Sequence, residues 1–259
     1  MKTAVVTGAS GGIGLETAQA LLADGWQVVC LSRHACPLEE VRSIPCDITD
    51  SAQVRAAFAA VDRVDLLVNN AGFGISGAVE CTGEAEMRRQ FDLNFFAWVT
   101  VIQAALPALR ESRGRILNIS SAAAVFSIPF QSFYSATKAA VESLTCALRS
   151  ELAPFGITVG ALRLGDVKTG FTAARQKSGS GDDLYAGRIA RIVAVMEHDE
   201  QNGMPPAAIA AAVVRAAHKK HLPPVTTVGA KYKLLCGLNK LLPLSAVTAL
   251  VAKIYIPEK

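Results

Sequence analysis

Thr3-Ala4-Val5-Val6-Thr7-Gly8-Ala9-Ser10-Gly11-Gly12-Ile13-Gly14 opens the chain and decides its architecture. Thr3 to Thr7 is an apolar, β-branched run, the pattern of a buried strand. From Ile13 to Ala23 apolar residues recur at helical spacing, and the glycines lie between the two patterns. A strand, a tight turn and a helix start therefore follow one another. Gly8 can turn the chain, while Gly12 and Gly14 let backbone and neighbouring elements come close. The unpaired N–H groups of a helix N-terminus attract a pyrophosphate. A glycine-rich turn that binds nothing has the same local pattern, so the rest of the chain must decide.

The alternation continues to the far end. Further strands are expected at Gln27 to Leu31, Ser43 to Cys46, Leu66 to Asn69, Arg115 to Ser120, Thr158 to Arg163 and Val225 to Val228. Helical patterns lie between them at Ser51 to Val61, Glu84 to Ala105, Tyr134 to Ala153 and Pro206 to His218. Strands that are near-continuous apolar runs, alternating with helices, imply an α/β fold: a Rossmann-type doubly wound parallel sheet of about seven strands with helices on both faces. Ligands of such sheets bind beyond the carboxyl ends of the strands, and the motifs below all fall there.

Composition narrows the setting. With 259 residues, 51% hydrophobic and 19% charged, one domain spanning 1–259 with a substantial core is expected. Met1-Lys2-Thr3 enters the first strand at once, which leaves no room for a signal or transit peptide and makes the cytoplasm the expected compartment. The six cysteines form no Cys-x2-Cys pair and read as reduced thiols, and no metal site is read from the sequence. A net charge of +4 without basic clusters interleaved with aromatics argues against nucleic acid. The longest uncharged stretch, Ile116 to Thr137, is interrupted by Asn118, several serines, Pro129 and Gln131, and suits an active-site strand and loop better than a membrane span.

The chemistry lies in Asn69-Asn70-Ala71-Gly72, Ser121 and Tyr134-x3-Lys138. Tyr134 and Lys138, four apart in a helical pattern, share a face. A tyrosine ordinarily titrates near pH ~10, and an adjacent ammonium is expected to lower that value and make Tyr134 a general acid or base. Ser121, at the end of a strand, can donate to a carbonyl oxygen beside the tyrosine, where negative charge develops during hydride transfer. Tyr255-x3-Lys259 has the same spacing without the context, so the bare pattern is weak.

Together these residues resemble the short-chain dehydrogenase/reductase family, hydroxysteroid and retinol dehydrogenases in particular, from Lys2 to about Thr169. The resemblance implies that Gly8, Ser10, Gly12, Ile13 and Gly14 form the cofactor loop. Asn70, Ala71 and Gly72 then make the turn after the fourth strand, and Asp47 and Ile48 meet the adenine. It implies that Asn94 holds, through its backbone, a water of the proton relay, that Ser121 orients substrate with Ser120 as runner-up, and that Lys138 also bonds the nicotinamide ribose. Val167 and Thr169 are implied to meet the carboxamide and phosphates, although Leu164-Gly165 stands where the family commonly has Pro-Gly, a change expected to loosen that loop. Homo-oligomers are implied, with the Glu84 to Ala105 and Tyr134 to Ala153 helices as contact faces.

At the end of the second strand Ser32 and Arg33 replace the acid of NAD-selective relatives, so NADP(H) is expected, Arg33 clasping the 2′-phosphate. Phe171 to Pro205 reads as a lid over about 170–205, containing Ser178 to Asp183 and a helix with Val193 and Met196. With Phe73, Phe126 and Phe130 at the mouth, the substrate is expected to be a lipophilic carbonyl or alcohol, steroid- or retinoid-like. In the tail, about 230–259, Leu244, Val247, Val251 and Ile254 follow helical spacing among lysines. Packing over the pocket or a partner is the plainer reading, and peripheral membrane contact the other. A non-catalytic NADP(H)-binding sensor is the alternative function, against which the intact Ser121, Tyr134 and Lys138 argue. Epimerases and dehydratases of the wider superfamily usually carry an added substrate domain, for which too few residues follow Thr169.

Overall fold

The computed structural model describes residues 1–177 and 181–255. Seven strands form one sheet: β1 (Thr3–Thr7), β2 (Gln27–Ser32), β3 (Arg42–Pro45), β4 (Leu66–Asn69), β5 (Arg115–Ser121), β6 (Thr158–Leu164) and β7 (Val225–Thr227). Their order is β3-β2-β1-β4-β5-β6-β7 and every pairing is parallel. All five residues of β1 and all four of β4 are buried, which is why these strands read as unbroken apolar runs. Chain order reverses between β1 and β4, and this switch point is where a ligand crevice opens.

Ten helices follow among the described residues: α1 (Gly12–Ala23), α2 (Ser51–Ala59), α3 (Glu84–Phe91), α4 (Ala97–Ser112), α5 (Ser132–Leu152), α6 (Phe171–Ala174), α7 (Arg188–Gln201), α8 (Pro206–His218), α9 (Ala230–Asn239) and α10 (Leu244–Tyr255). α1 packs on α8 and α2 on α4, while α5 runs along β5 and β6. The helix expected over Glu84 to Ala105 is longer and is interrupted by a π turn, Asp92–Phe96, at Asn94. It also continues through Pro107 to Ser112, because Leu109 is fully buried and one lost backbone bond is outweighed by that contact. The run Glu84–Ser112 has the length and apolarity of a membrane span, yet Trp98, Val101, Ile102, Ala105 and Leu109 are buried in the core. The lid region holds α6, a two-residue strand Gln176–Lys177 paired with Ile75–Ser76, and α7, whose Ile189, Ile192, Val193 and Met196 form a second small core with Ala78. Of the expected lid, Ser178, Gly179 and Ser180 lie outside the described residues, as does Lys259 of the second Tyr-x3-Lys pattern.

Two polar layers cross the sheet beneath the crevice. In the lower, Asn69 Nδ2 donates to Asn118 Oδ1 at 3.0 Å and Asn118 Nδ2 to Thr145 Oγ1 at 2.9 Å, joining β4, β5 and α5. In the upper, Glu142 of α5 accepts from Ser120 Oγ at 2.8 Å and from Arg163 Nε at 2.9 Å, and its other oxygen accepts from Arg163 at 2.5 Å. Both members of this ion pair are nearly buried, with side chains 12% and 11% exposed. Removing one partner strands a charge, whereas removing both does not. Arg163→Met is therefore expected to lower stability in urea titration by about 3 kcal/mol, and Glu142→Leu with Arg163→Met to recover most of it. Equal loss in the single and double variants would contradict this account.

Candidate active site

The turn after β1 is built by backbone constraint. Gly8 and Gly12 adopt φ of 71° and 55°, the left-handed region that other residues enter at a cost. A Cβ on Gly14 would lie 2.3 Å from the Gly8 carbonyl oxygen, so α1 can reach this turn only with glycine there. Asn70 clamps the turn from the other side: its Nδ2 donates to the Thr7 and Gly8 carbonyls at 3.0 and 3.3 Å. Thr7 Oγ1 accepts from the Asn70 and Ala71 amides at 2.9 and 3.1 Å. No side chain caps α1 and no acid stands in its first turn, so its N–H groups are left for an anion. An added Cβ on Gly11 meets nothing within 4 Å, which marks open space over the turn.

A cavity of about 900 Å³ runs from this turn to the catalytic candidates. Gly8, Ser10, Gly12, Ile13, Ser32, Arg33, Asp47, Ile48, Asn70, Ala71, Gly72, Ser121, Tyr134, Lys138, Val167 and Thr169 all line it. Gly14 does not, because its lack of a side chain serves packing of α1 on the turn. Asn94 does not either. Its buried side chain pairs with the Phe73 backbone, accepting from the amide at 3.1 Å and donating to the carbonyl at 2.9 Å, and so sets the turn that carries Gly72. At the β2 end, Ser10 and Ser32 hydroxyls are 3.0 Å apart and Arg33 is exposed beside them. The Asp47 carboxylate turns to its own loop, where the Thr49 amide and hydroxyl hold it below the usual carboxylate range.

At the other end, Ser121 hydrogen-bonds Tyr134 and lowers its pKa, but withdrawal from water prevails and pushes Tyr134 up to about 12. This corrects the expectation of a tyrosine activated by the ammonium. Lys138 is itself buried, donates to the Ile119 carbonyl at 2.8 Å, and is brought down to about 7 by desolvation, partly offset by Glu142. Ser120, the runner-up, also lines the cavity, but its hydroxyl donates to Glu142. Trp98, which sequence reasoning missed, donates from Nε1 to the Ala71 carbonyl at 2.8 Å and places its ring 4.6 Å from Lys138 Nζ.

The substrate end is walled by residues from late in the chain. Phe73 and Phe126 line the cavity as expected, but Phe130 does not: it packs edge-on against Tyr185, 5.2 Å away, in the second core. Phe171 lies 5.6 Å from the Tyr134 ring. α9 and α10 close the wall with Leu235, Leu238, Val247 and Val251 among others, so the tail packs over the pocket. Where the proline is missing, the loop is packed. Leu164 is buried and extends β6, and the Tyr232 ring covers Gly165 so closely that a Cβ there would lie 1.8 Å from it. Tyr232 also donates from its hydroxyl to Asp166. No spacing in the sequence pairs Tyr232 with Gly165.

A family model described as short chain dehydrogenase matches residues 2–179. The chain belongs to this family. The dehydrogenase is 40% identical over 245 residues to the 3-ketodihydrosphingosine reductase of Bacteroides thetaiotaomicron, with 91% of each chain covered. A solved short-chain dehydrogenase from Streptomyces avermitilis superposes with a TM-score of 0.83 at 33% identity, over 97% of this chain and 95% of that one. The 3-ketoacyl-(acyl-carrier-protein) reductase of Brucella melitensis, solved with NADH, gives 0.74 at 26% identity over 88% and 96%. This dehydrogenase is accordingly an oxidoreductase of the short-chain type, a fold that binds nicotinamide cofactors.

Burial of Lys138 has a measurable sign. With the folded value near 7 and the ordinary one at 10.5, the unfolded chain holds the proton that the folded chain has released between those pH values. The resulting penalty grows as pH falls from 10.5 and is complete below about 7. Lys138→Met is expected to raise Tm relative to the parent more at pH 6 than at pH 10. A shift of the same size at both pH values would reject the depressed lysine.

Proposed function

We propose that this dehydrogenase transfers hydride between NADP(H) and the carbonyl or secondary alcohol of a lipophilic substrate, with Tyr134 as general acid and base. The observation that carries the reading is one cavity joining the uncapped start of α1, the Ser32-Arg33 end of β2 and the Ser121-Tyr134-Lys138 set. The nicotinamide supplies the hydride. In reduction, Tyr134 holds its proton throughout the physiological range and gives it to the carbonyl oxygen, to which Ser121 donates a second hydrogen bond. Lys138, held under Tyr134 by Ile119 and Trp98, supports the phenolate while its own proton is on, and is available to the ribose hydroxyls. Asn94 acts by holding Phe73 and the floor of the site, and its π turn is the place for a backbone-bound water.

NADP(H) rather than NAD(H) is supported by Arg33 and the paired Ser10 and Ser32 hydroxyls; Asp47, the acid that interacts with Arg33, has its carboxylate hydrogen-bonded to Thr49. The Brucella reductase carries NADH, so both cofactors belong in the assay. A lipophilic substrate, steroid- or retinoid-like or a long-chain ketone like that named for the Bacteroides relative, is supported by the apolar walls from Phe126, Phe171 and the tail. We read 1–259 as one domain with its lid at about 170–205, working as a homo-oligomer through the Glu84 to Ala105 stretch of α3 and α4 and through α5. The buried thiols of Cys30, Cys36, Cys46 and Cys236 suit the cytoplasm.

The test is nicotinamide absorbance with NADPH and NADH against a panel of steroid, retinoid, quinone and long-chain ketones. NADPH oxidation is expected, falling about 10²–10⁴-fold in Tyr134→Phe with cofactor affinity retained. Cofactor binding without turnover across the panel would favour the sensor. Arg33→Asp is expected to move the kcat/KM preference toward NADH by at least about tenfold, the effect of exchanging an attractive for a repulsive partner at a phosphate. An unmutated protein that prefers NADH would reject the cofactor assignment.

A further inference from the structure

The C-terminal hairpin has two apolar faces, and only one of them is accounted for by the cavity. Of the twelve large hydrophobic side chains that stand exposed among the described residues, seven lie between Leu234 and Ile254. Leu234, Leu241 and Leu244 are 65%, 81% and 76% exposed and do not line the cavity. Leu238, Leu242, Leu250 and Ile254 are about half exposed and do line it. Apolar residues therefore run from the cavity wall to the outer surface of α9 and α10. Clustered exposure of this kind marks an interaction surface, whereas scattered leucines need no explanation.

Charge selects the occupant. Between Ala230 and Tyr255 stand Lys231, Lys233, Lys240 and Lys253 with no acidic residue, a charge equal to the net +4 of the whole chain. A second copy seated symmetrically on this face would set Lys233, Lys240 and Lys253 against their own counterparts with no carboxylate of α9 or α10 to meet them. An anionic lipid surface accepts both the leucines and the lysines. α10, twelve residues and about 18 Å long, is too short to cross a bilayer and suits lying in its interface.

We infer that α9 and α10 dock this dehydrogenase on anionic membranes, with Leu234, Leu241 and Leu244 entering the interface and the substrate cavity opening toward the lipid. Docking is independent of the cofactor and catalytic assignments; delivery of substrate from the bilayer rests on the lipophilic-substrate reading above. The experiment is flotation of the full chain with vesicles of phosphatidylglycerol and, separately, of phosphatidylcholine, which needs no turnover. Flotation with phosphatidylglycerol at low salt, weakened by added salt and by phosphatidylcholine, is expected. L241D/L244D and K233E/K240E/K253E, with unchanged circular dichroism and Tm, should each reduce the bound fraction roughly tenfold or more. Absence of the full chain from phosphatidylglycerol vesicles at low salt, or undiminished flotation of both variants, would overturn the proposal. So would light scattering that finds a dimer converted to monomers by L241D/L244D without vesicles, since a second copy would then cover the face.

Discussion

Everything at the ligand end of the sheet depends on the contact between the turns after β1 and β4. Thr7 and Asn70 exchange side-chain and backbone hydrogen bonds across the switch point, and Gly14 lets α1 close on the Gly8 carbonyl. The first contact fixes where Gly72 and Phe73 run, and Asn94 and Trp98 read that position from their helix, one through Phe73 and the other through Ala71. Trp98 then supplies the ring beside Lys138. A chain of contacts thus connects the glycine turn after β1 to Lys138, although the two are far apart in sequence.

The same chain explains why burial dominates the titration of Tyr134 and Lys138. Lys138 has a carbonyl and an aromatic face as neighbours, and Glu142, one turn on, is already engaged by Ser120 and Arg163. Glu142 is therefore a partial counter-charge, which leaves the ammonium poised near neutrality instead of fully stabilised. Burial is what makes it labile, and a group that gives up its proton near neutral pH suits a site that passes a proton in either direction.

Legibility in the sequence follows the range of the contacts. β1, β4 and α8 were readable to the residue, because local periodicity and burial on both faces determine them. The glycine-turn residues that line the cavity were readable because the loop glycines and the turn at Asn70 act within a few positions of where they sit. Asn94 was placed in the right helix but not against Phe73, and the π turn that aims it leaves no mark in composition. Phe130 was misplaced because its positive φ of 57° swings the ring into the second core, and no hydrophobic pattern encodes that rotation. The cover of Gly165 by Tyr232 joins residues 67 positions apart by sequence number and was not readable.

That distance also divides the cavity physically. Its cofactor half is made of backbone turns locked by glycines and buried amides, a geometry that tolerates little change. Its other half is made of leucines, valines and aromatics from α6, α9 and α10, joined to the sheet by side-chain packing and by the Tyr232 bond to Asp166. Apolar contacts are non-directional, so this half can be reshaped by substitution without disturbing the turns beneath it. A lipophilic ligand suits such a wall because it asks for area and not for a set of fixed donors. A directional contact from the tail falls next to Gly165, where the usual proline is absent, so the tail holds the loop that carries Val167 and Thr169 as well as the wall above it. Substrate wall and cofactor loop therefore share a support, and a displacement of the hairpin is felt at both.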